Sequence, residues 1–459
     1  MRKISVAGAA LALALGAAGS ASAQVGAPPA ARAPAVPKPP VAAVKPAQPP
    51  RPASTPESRS AAALALSSEP VFDEGTYQRI KETLLSYSDL QVRGGWPLLP
   101  ADAKLGPGST GPIVTLLRQR LVITDDLAPG QENGDAYDEA VVEGVKHFQV
   151  RHGLDASGSV GPQTLRALNV PIAARIKQLE ASLDRLLGMD FTFADRYVVV
   201  NIPAAFAEAV AHDKVERRYR VVVGKTDKPS PTLTAYITAV DLNPTWTVPL
   251  SITKNEIVAR MRRDPSYLAR MHMRVIGAHD EEVDPRAIDW ASDRSPNFTV
   301  RQDSGTWNAL GYLKIDMPNP YSVYMHDTDA RKLFDNDYRF DSHGCTRVDN
   351  VRDLAAWILQ DVPGWNRAAI DSGIATGERK AINLPHKIPV AWVYLTGWVT
   401  RDGVVEFRDD IYKHDVELDR IGLTDAAARA GGFVAPEPPA AAARVAPASV
   451  KQVSNLDSR

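Results

Sequence analysis

Apolar side chains recur at helical spacing through the first half of the chain and at strand spacing through the second. Tyr77, Ile80, Leu84 and Tyr87 stand at i, i+3, i+7 and i+10, which predicts an amphipathic helix. A compact three-helix pattern follows. Val114, Leu117 and Leu121 make one stripe, Tyr137, Val141, Val145 and Phe148 a second, and Leu165 with Leu168 a short third, with Gly/Asp/Asn-rich turns between them. Ile176, Leu179, Leu183, Leu186 and Leu187 predict one more helix. The period changes at Arg196. Tyr197–Ile202, Tyr219–Val223 and Leu233–Val240 are β-branched runs broken by polar turns, and Leu310–Ile315, Tyr321–Met325, Val390–Leu395 and Val404–Phe407 continue them, so strands are expected. A β-rich domain is expected over 196–415, interrupted by a segment with a basic helical stretch, Ile252–Arg263. That segment, 246–304, reads as an insertion.

Both ends have a different texture. Arg2 and Lys3, the Ala/Leu-rich run Val6–Ala18 and Ala21-Ser22-Ala23 form the pattern of a cleaved signal peptide over 1–23. Its apolar run falls short of the roughly 20 residues that span a bilayer, and no integral membrane segment is expected. Residues 24–68 are a Pro/Ala-rich linker, 69–105 an N-terminal helical segment, 106–170 a small three-helix domain, 171–195 a connecting helix and 433–459 a tail expected to be disordered. Across 459 residues, 53 Lys+Arg against 54 Asp+Glu leave a formal charge of −1, which argues against a whole-surface grip on nucleic acid. One cysteine excludes intramolecular disulfides and multi-thiolate metal sites. That thiol is either buried filler or the chemistry.

Gly224-Lys225-Thr226 follows a strand, but a phosphate-binding loop needs an earlier glycine where Tyr219 stands. His147, His152, His212, His272, His279, His386 and His414 read as surface or loop residues. The informative stretch is Tyr321–Asn350. His326-Asp327-Thr328 ends an apolar strand, and Ser342-His343-Gly344-Cys345-Thr346-Arg347 carries the only thiol. A cysteine nucleophile needs a base or imidazolium beside it, which His326 can supply. Gly344 permits a tight turn that aims backbone N–H groups at a developing oxyanion, and Arg347 suits a carboxylate. Three other readings stand beside this one: a buried structural thiol, a zinc site built from His326, His343 and Cys345, and a structural salt bridge at Arg347.

These residues resemble the L,D-transpeptidases with a YkuD-like catalytic domain, through the His…Ser/Thr-His-Gly-Cys-x-Arg signature. Arg196–Pro203, Val221–Lys225, Asn243–Pro249, Arg301-Gln302, Asn308–Gly311, Val393–Trp398 and Asp402-Gly403 are similar to the large periplasmic subgroup, which carries a capping insertion. Gly106–Asn169, with Phe148-Gln149, Gly153-Leu154 and Gly158-x-Val160-Gly161, resembles a peptidoglycan-binding module. The resemblance implies an α+β multi-domain fold: a β-rich catalytic domain with a cap, a three-helix peptidoglycan-binding domain and flanking helices. It implies a periplasmic, wall-associated enzyme without cofactor or metal. Its partners would be donor and acceptor stem peptides, or an outer-membrane protein as acceptor, with no nucleic acid. Cys345 would take an acyl group from a tetrapeptide stem, releasing D-alanine, and pass it to an amine in a 3→3 cross-link. His326 would maintain the thiolate and relay the proton, while Gly344 and Cys345 N–H groups hold the oxyanion. His343, Arg347, Ser342, Asp327, Tyr324, Trp307 and Asn308 would bind substrate or support the site, with the group that orients His326 left open. Acylation of the cysteine by carbapenems is also implied.

Overall fold

The computed structural model describes residues 67–292 and 298–416. The signal peptide, all but the last two linker residues and the tail lie outside them. Five helices come first: α1 (Thr76–Val92), α2 (Pro112–Ile123), α3 (Glu139–Arg151), α4 (Pro162–Leu168) and α5 (Ile172–Leu187). Pro112 and Pro162 open α2 and α4 at positions where a missing N–H costs nothing, and the Asp138 side chain caps α3 by accepting from Val141 N–H. The three predicted stripes close on one another around Val114, Leu117, Leu121, Val141, Val145, Phe148 and Leu168.

The strand runs then build one large sheet. Its first four strands are β1 (Arg196–Asn201), β2 (Phe206–Ala211), β3 (Lys214–Gly224) and β4 (Leu233–Leu242). The insertion follows, with β5 (Trp246–Thr247), α6 (Leu250–Ile252), a π-helical turn (Thr253–Ile257), α7 (Val258–Arg263), α8 (Tyr267–Arg270), β6 (Met273–Ile276), β7 (Glu282–Val283) and β8 (Thr299–Gln302). The chain returns to the large sheet through β9 (Leu313–Asp316), β10 (Met325–His326), β11 (Phe340–Ser342) and β12 (Thr346–Val348). After α9 (Val351–Ile358) and α10 (Arg367–Ala375) come β13 (Lys380–Val393), β14 (Gly397–Val399) and β15 (Val405–Phe407).

The sheet order is β11-β3-β12-β10-β9-β4-β13-β1-β2, and β2 also pairs with β3, so the order closes on itself. Both faces of β1 are covered. Val198 and Val200 enter the core shared with α9 and α10, whereas Tyr197 and Val199 enter the one shared with α1 and α5. Double-sided burial explains why Val198-Val199-Val200 runs apolar without alternation, at roughly 1.5–3 kcal/mol per buried side chain. The insertion has its own four-stranded sheet, β5-β8-β6-β7, and its own core around Val248, Ile257, Met261, Leu268, Val275 and Val300.

Buried charge fastens the small helical unit to the end of the β structure. Asp126, whose side chain is fully buried, receives Arg151 Nε at 2.6 Å and Nη2 at 2.5 Å. Arg151 Nη1 also donates to the Val405 carbonyl at 3.1 Å, and Arg408 returns a bond to the Arg151 carbonyl at 3.0 Å. Arg120 and Arg175 lie in the same region, and burial, with the charge of Arg151 added, pushes each guanidinium down to about 9. His152 is buried, not on the surface: it stacks on Phe148 at 3.9 Å and faces Phe407 at 5.8 Å. Periodicity could not reveal this, because the apolar partner Phe407 comes from β15.

Burial alone would raise the Asp126 carboxyl, but the Arg151 charge and hydrogen bonds hold it below its ordinary 3.8. Its stabilisation is therefore complete above the unfolded value and is lost as pH falls through the lower folded value. Asp126→Ala, which leaves Arg151 unpaired, is expected to cost about 3–5 kcal/mol in urea unfolding. A loss under about 1 kcal/mol would show that the pair is not holding this interface.

Candidate active site

Two short strands bring the separated motif segments together. β10 and β12 pair in parallel, with Met325 opposite Thr346 and His326 opposite Arg347, and Thr346 N–H donates to the Tyr324 carbonyl at 3.0 Å. Side chains alternate along a strand, so Tyr324, His326, Cys345 and Arg347 share one face. Met325 and Thr346 point the other way and are fully buried.

His326 is itself buried, and its Nδ1–H donates to the Asp327 main-chain carbonyl at 2.5 Å. The orienting group is thus a backbone oxygen, and Nε2 keeps its lone pair. The Asp327 carboxylate is turned elsewhere, accepting from Tyr312 N–H at 3.1 Å and from Arg331 Nη2 at 2.9 and 3.0 Å. This requires Gly311, which has φ 59° and whose Cβ would lie 2.6 Å from Asp327 side-chain atoms. The Tyr324 ring meets the His326 ring edge-on, with centroids 5.7 Å apart, and Lys314 Nζ lies 4.9 Å from the Tyr324 ring.

Cys345 follows a turn closed by its neighbours. Ser342 Oγ donates to the Cys345 carbonyl at 2.5 Å and accepts from Gly344 N–H at 3.2 Å. Gly344 has φ 108°, while the space around a Cβ there is ordinary, so it is the backbone angle that demands glycine. The Gly344 N–H is already engaged by Ser342; among the described residues, the Cys345 N–H has no such partner and is the donor left for an incoming oxygen. Ser230 Oγ braces the turn from below by donating to the Gly344 carbonyl at 2.8 Å.

Burial dominates the electrostatics of the pair. It pushes the Cys345 thiol up to about 11, against hydrogen bonding from Tyr324 and the charges of Lys314 and Arg347. Burial, followed by the Arg347 charge, pulls His326 down to about 3, although its bond to the Asp327 carbonyl works in the opposite sense. Both shifts oppose a thiolate–imidazolium pair and favour the neutral form of each group.

The remaining predicted residues divide. Among the described residues the Arg347 guanidinium makes no side-chain hydrogen bond or close ion pair and its Nε is buried without a partner, although Asp329 and Asp341 act on its charge from farther away. His343 Nε2 turns to Glu256 of the insertion at 2.6 Å. His326, His343 and Cys345 therefore do not converge, and among the described residues no three His, Cys, Asp or Glu groups are spaced to hold a metal. Trp307 is 39% exposed and stacks on His272 at 3.8 Å, leaving aromatic surface free. Asn308 is a support, not a contact: it is fully buried, and its amide donates to the Pro244 and Asp303 carbonyls and accepts from Leu310 N–H.

Residues 195–378 match the family model described as "L,D-transpeptidase catalytic domain", YkuD. This segment is a YkuD domain. Residues 110–168 match the "Putative peptidoglycan binding domain" family, so a helical module of that family precedes it. The chain is similar to a "Putative L,D-transpeptidase" of Haemophilus influenzae, with 29% identity over 222 residues, 48% of this chain and 45% of that one. The match thus spans less than half of that relative's length. Solved L,D-transpeptidases include one from Mycobacterium smegmatis, at 16% identity and TM-score 0.21 over 43% of this chain and 58% of that one. Another, from Stackebrandtia nassauensis, has 11% identity and TM-score 0.24 over 64% and 97%.

Sequence reading missed Glu256, Lys228, Arg331, Lys314 and Ser230. Only Glu256 left a signal, as the lone acid in the basic stretch 252–263 of the YkuD segment. Because folding raises the thiol of this YkuD domain, iodoacetamide alkylation of Cys345 should climb with pH to a midpoint above the ordinary 9.0. A midpoint below pH 7, read by intact mass on the single cysteine, would instead establish a preformed thiolate.

Proposed function

We propose that the chain is a peptidoglycan L,D-transpeptidase in which Cys345 is the nucleophile and His326 the general base. The observation that carries this reading is the β10–β12 pairing, which sets the only thiol, a histidine whose Nδ1 is engaged by a carbonyl and a guanidinium with no side-chain hydrogen bond among the described residues on one face. His326 Nε2 takes the thiol proton as Sγ attacks the carbonyl of the third residue in a donor tetrapeptide stem. The Cys345 N–H holds the oxyanion. The tetrahedral intermediate collapses, the bond to the terminal D-alanine breaks, and His326 returns its proton to the departing amine. A thioester remains. The side-chain amine of a third residue on an acceptor stem then attacks it, giving a 3→3 cross-link and restoring the thiol.

Burial that favours the neutral form of both groups suits a proton transfer made as Sγ attacks. Arg347 binds a stem carboxylate, for which its planar fork is fitted, with no side-chain hydrogen bond among the described residues. Tyr324 and Trp307 line the approach, and Ser342 and Asp327 support the turn and the histidine. The insertion covers the thioester against water, and transfer over hydrolysis depends on that exclusion and on acceptor positioning. Residues 1–23 direct export to the periplasm, and residues 110–168 hold the enzyme to the wall.

Incubation with disaccharide tetrapeptide and mass analysis of the products tests the proposal. Cross-linked dimer and free D-alanine are expected; Cys345→Ala should abolish both, and His326→Ala should lower turnover about 10²–10⁴-fold. Tripeptide without dimer would make the enzyme a carboxypeptidase. Muropeptides linked to an outer-membrane protein, lost in cells carrying Cys345→Ala, would make that protein's amine the acceptor. Product formation by Cys345→Ala equal to that of the wild type would refute the nucleophile.

A further inference from the structure

The insertion reaches the thiol-bearing turn through one carboxylate. Glu256 lies in the π-helical turn Thr253–Ile257, a local widening of the helix frequent at functional places. Thr253 and Ile257 are buried, Ile257 in the insertion's own core, so the turn is fixed from behind. Glu256 Oε1 takes two bonds, from His343 Nε2 at 2.6 Å and from Lys228 Nζ at 3.3 Å. Its partners belong to separate stretches, His343 to the turn that ends in Cys345 and Lys228 to the connection between β3 and β4. That connection already grips the same turn from the other side: Lys225 N–H donates to the Ser342 carbonyl at 3.0 Å, and Ser230 Oγ to the Gly344 carbonyl at 2.8 Å. Glu256 therefore closes a bracket around the turn, and its carboxylate is held below its usual range: burial opposes this, but the hydrogen bonds and charges of His343 and Lys228 prevail.

We infer that Glu256 is a positioning residue that latches the insertion onto the Cys345 turn through His343, and that this latch reserves the acyl-enzyme for an amine acceptor over water. The inference rests on the acyl-transfer reading above. It gives His343 a task distinct from substrate binding: the side chain faces the insertion, not the stem. It also explains a lone acid in a segment that otherwise carries Lys254, Arg260, Arg262 and Arg263. All three side chains of the latch are about one-third exposed, so it is a contact that can open and reclose when substrates exchange.

The full chain carrying Glu256→Gln, and separately Lys228→Met, is compared with wild type in two measurements. Formation of the carbapenem adduct on intact protein reads the nucleophile alone. The ratio of dimer to tripeptide from disaccharide tetrapeptide reads the fate of the thioester. For an exposed contact of this kind, Glu256→Gln should leave adduct formation within about twofold and lower the ratio about three- to fivefold, with Lys228→Met acting in the same direction and less. Combining Glu256→Gln with His343→Gln should lower the ratio no further than either alone, because both remove one contact. An unchanged ratio in Glu256→Gln, or adduct and products falling together in both single variants, overturns the latch and leaves the acyl-transfer reading intact. Wild type that forms neither adduct nor product overturns that reading itself.

Discussion

The active face depends on a parallel pairing only two residues long. Met325 opposite Thr346 and His326 opposite Arg347 are all that join β10 to β12, and a ladder of that length supplies too few bonds to hold itself. The surroundings hold it. β10 also pairs with β9, and β12 with β3, so each short strand lies between its partner and another strand of the sheet. Asp327 ties the residue after the histidine to Tyr312 and Arg331, and Ser342 and Ser230 tie the residues before the cysteine to the turn. These buried hydrogen bonds together favour one arrangement, the register of the thiol against the imidazole.

Placing a nucleophile on such a face has an electrostatic consequence. The strands that define its position also remove water from it, and burial disfavours the charged form of both groups. Lys314 and Arg347 supply positive charge nearby, which helps a thiolate and hinders an imidazolium. The site is thus biased toward negative charge on sulfur or oxygen once substrate arrives, and against positive charge on the histidine before it. Lys314 is itself held by Asp241 and Asp316, so its charge stays fixed beside the Tyr324 ring.

Local chemistry was legible in the sequence where a residue's partners lie nearby or where its pattern repeats. The stripes of α2, α3 and α4, the unbroken valines of β1 and the His…Ser-His-Gly-Cys-Thr-Arg constellation belong to this class, as does the α+β character of the fold. Strand boundaries were less legible. Leu310–Ile315 becomes a strand only from Leu313, since Gly311 turns the chain at φ 59°, and Tyr321–Met325 shortens to its last residue plus His326, since Ser322 lies at φ 56°. The role of Glu256 was beyond reach because its partners are distant in the chain, as are Pro244 for Asn308 and Phe407 for His152. A histidine reads alike whether it faces water or stacks on a phenylalanine.

The match to the YkuD family ends at residue 378, two residues before β13 begins. Yet β13 is the longest strand of the sheet, standing between β4 and β1. Farther along, the Tyr412 hydroxyl donates to the Gly224 carbonyl and accepts from Ser230 N–H, beneath the serine that braces the thiol turn. The portion of sequence that carries the chemistry is therefore not a physical unit. A polypeptide stopped at residue 378 would keep His326 and the Ser342–Arg347 signature and lose the stave that closes the ring, leaving a recognisable signature on a sheet with two raw edges.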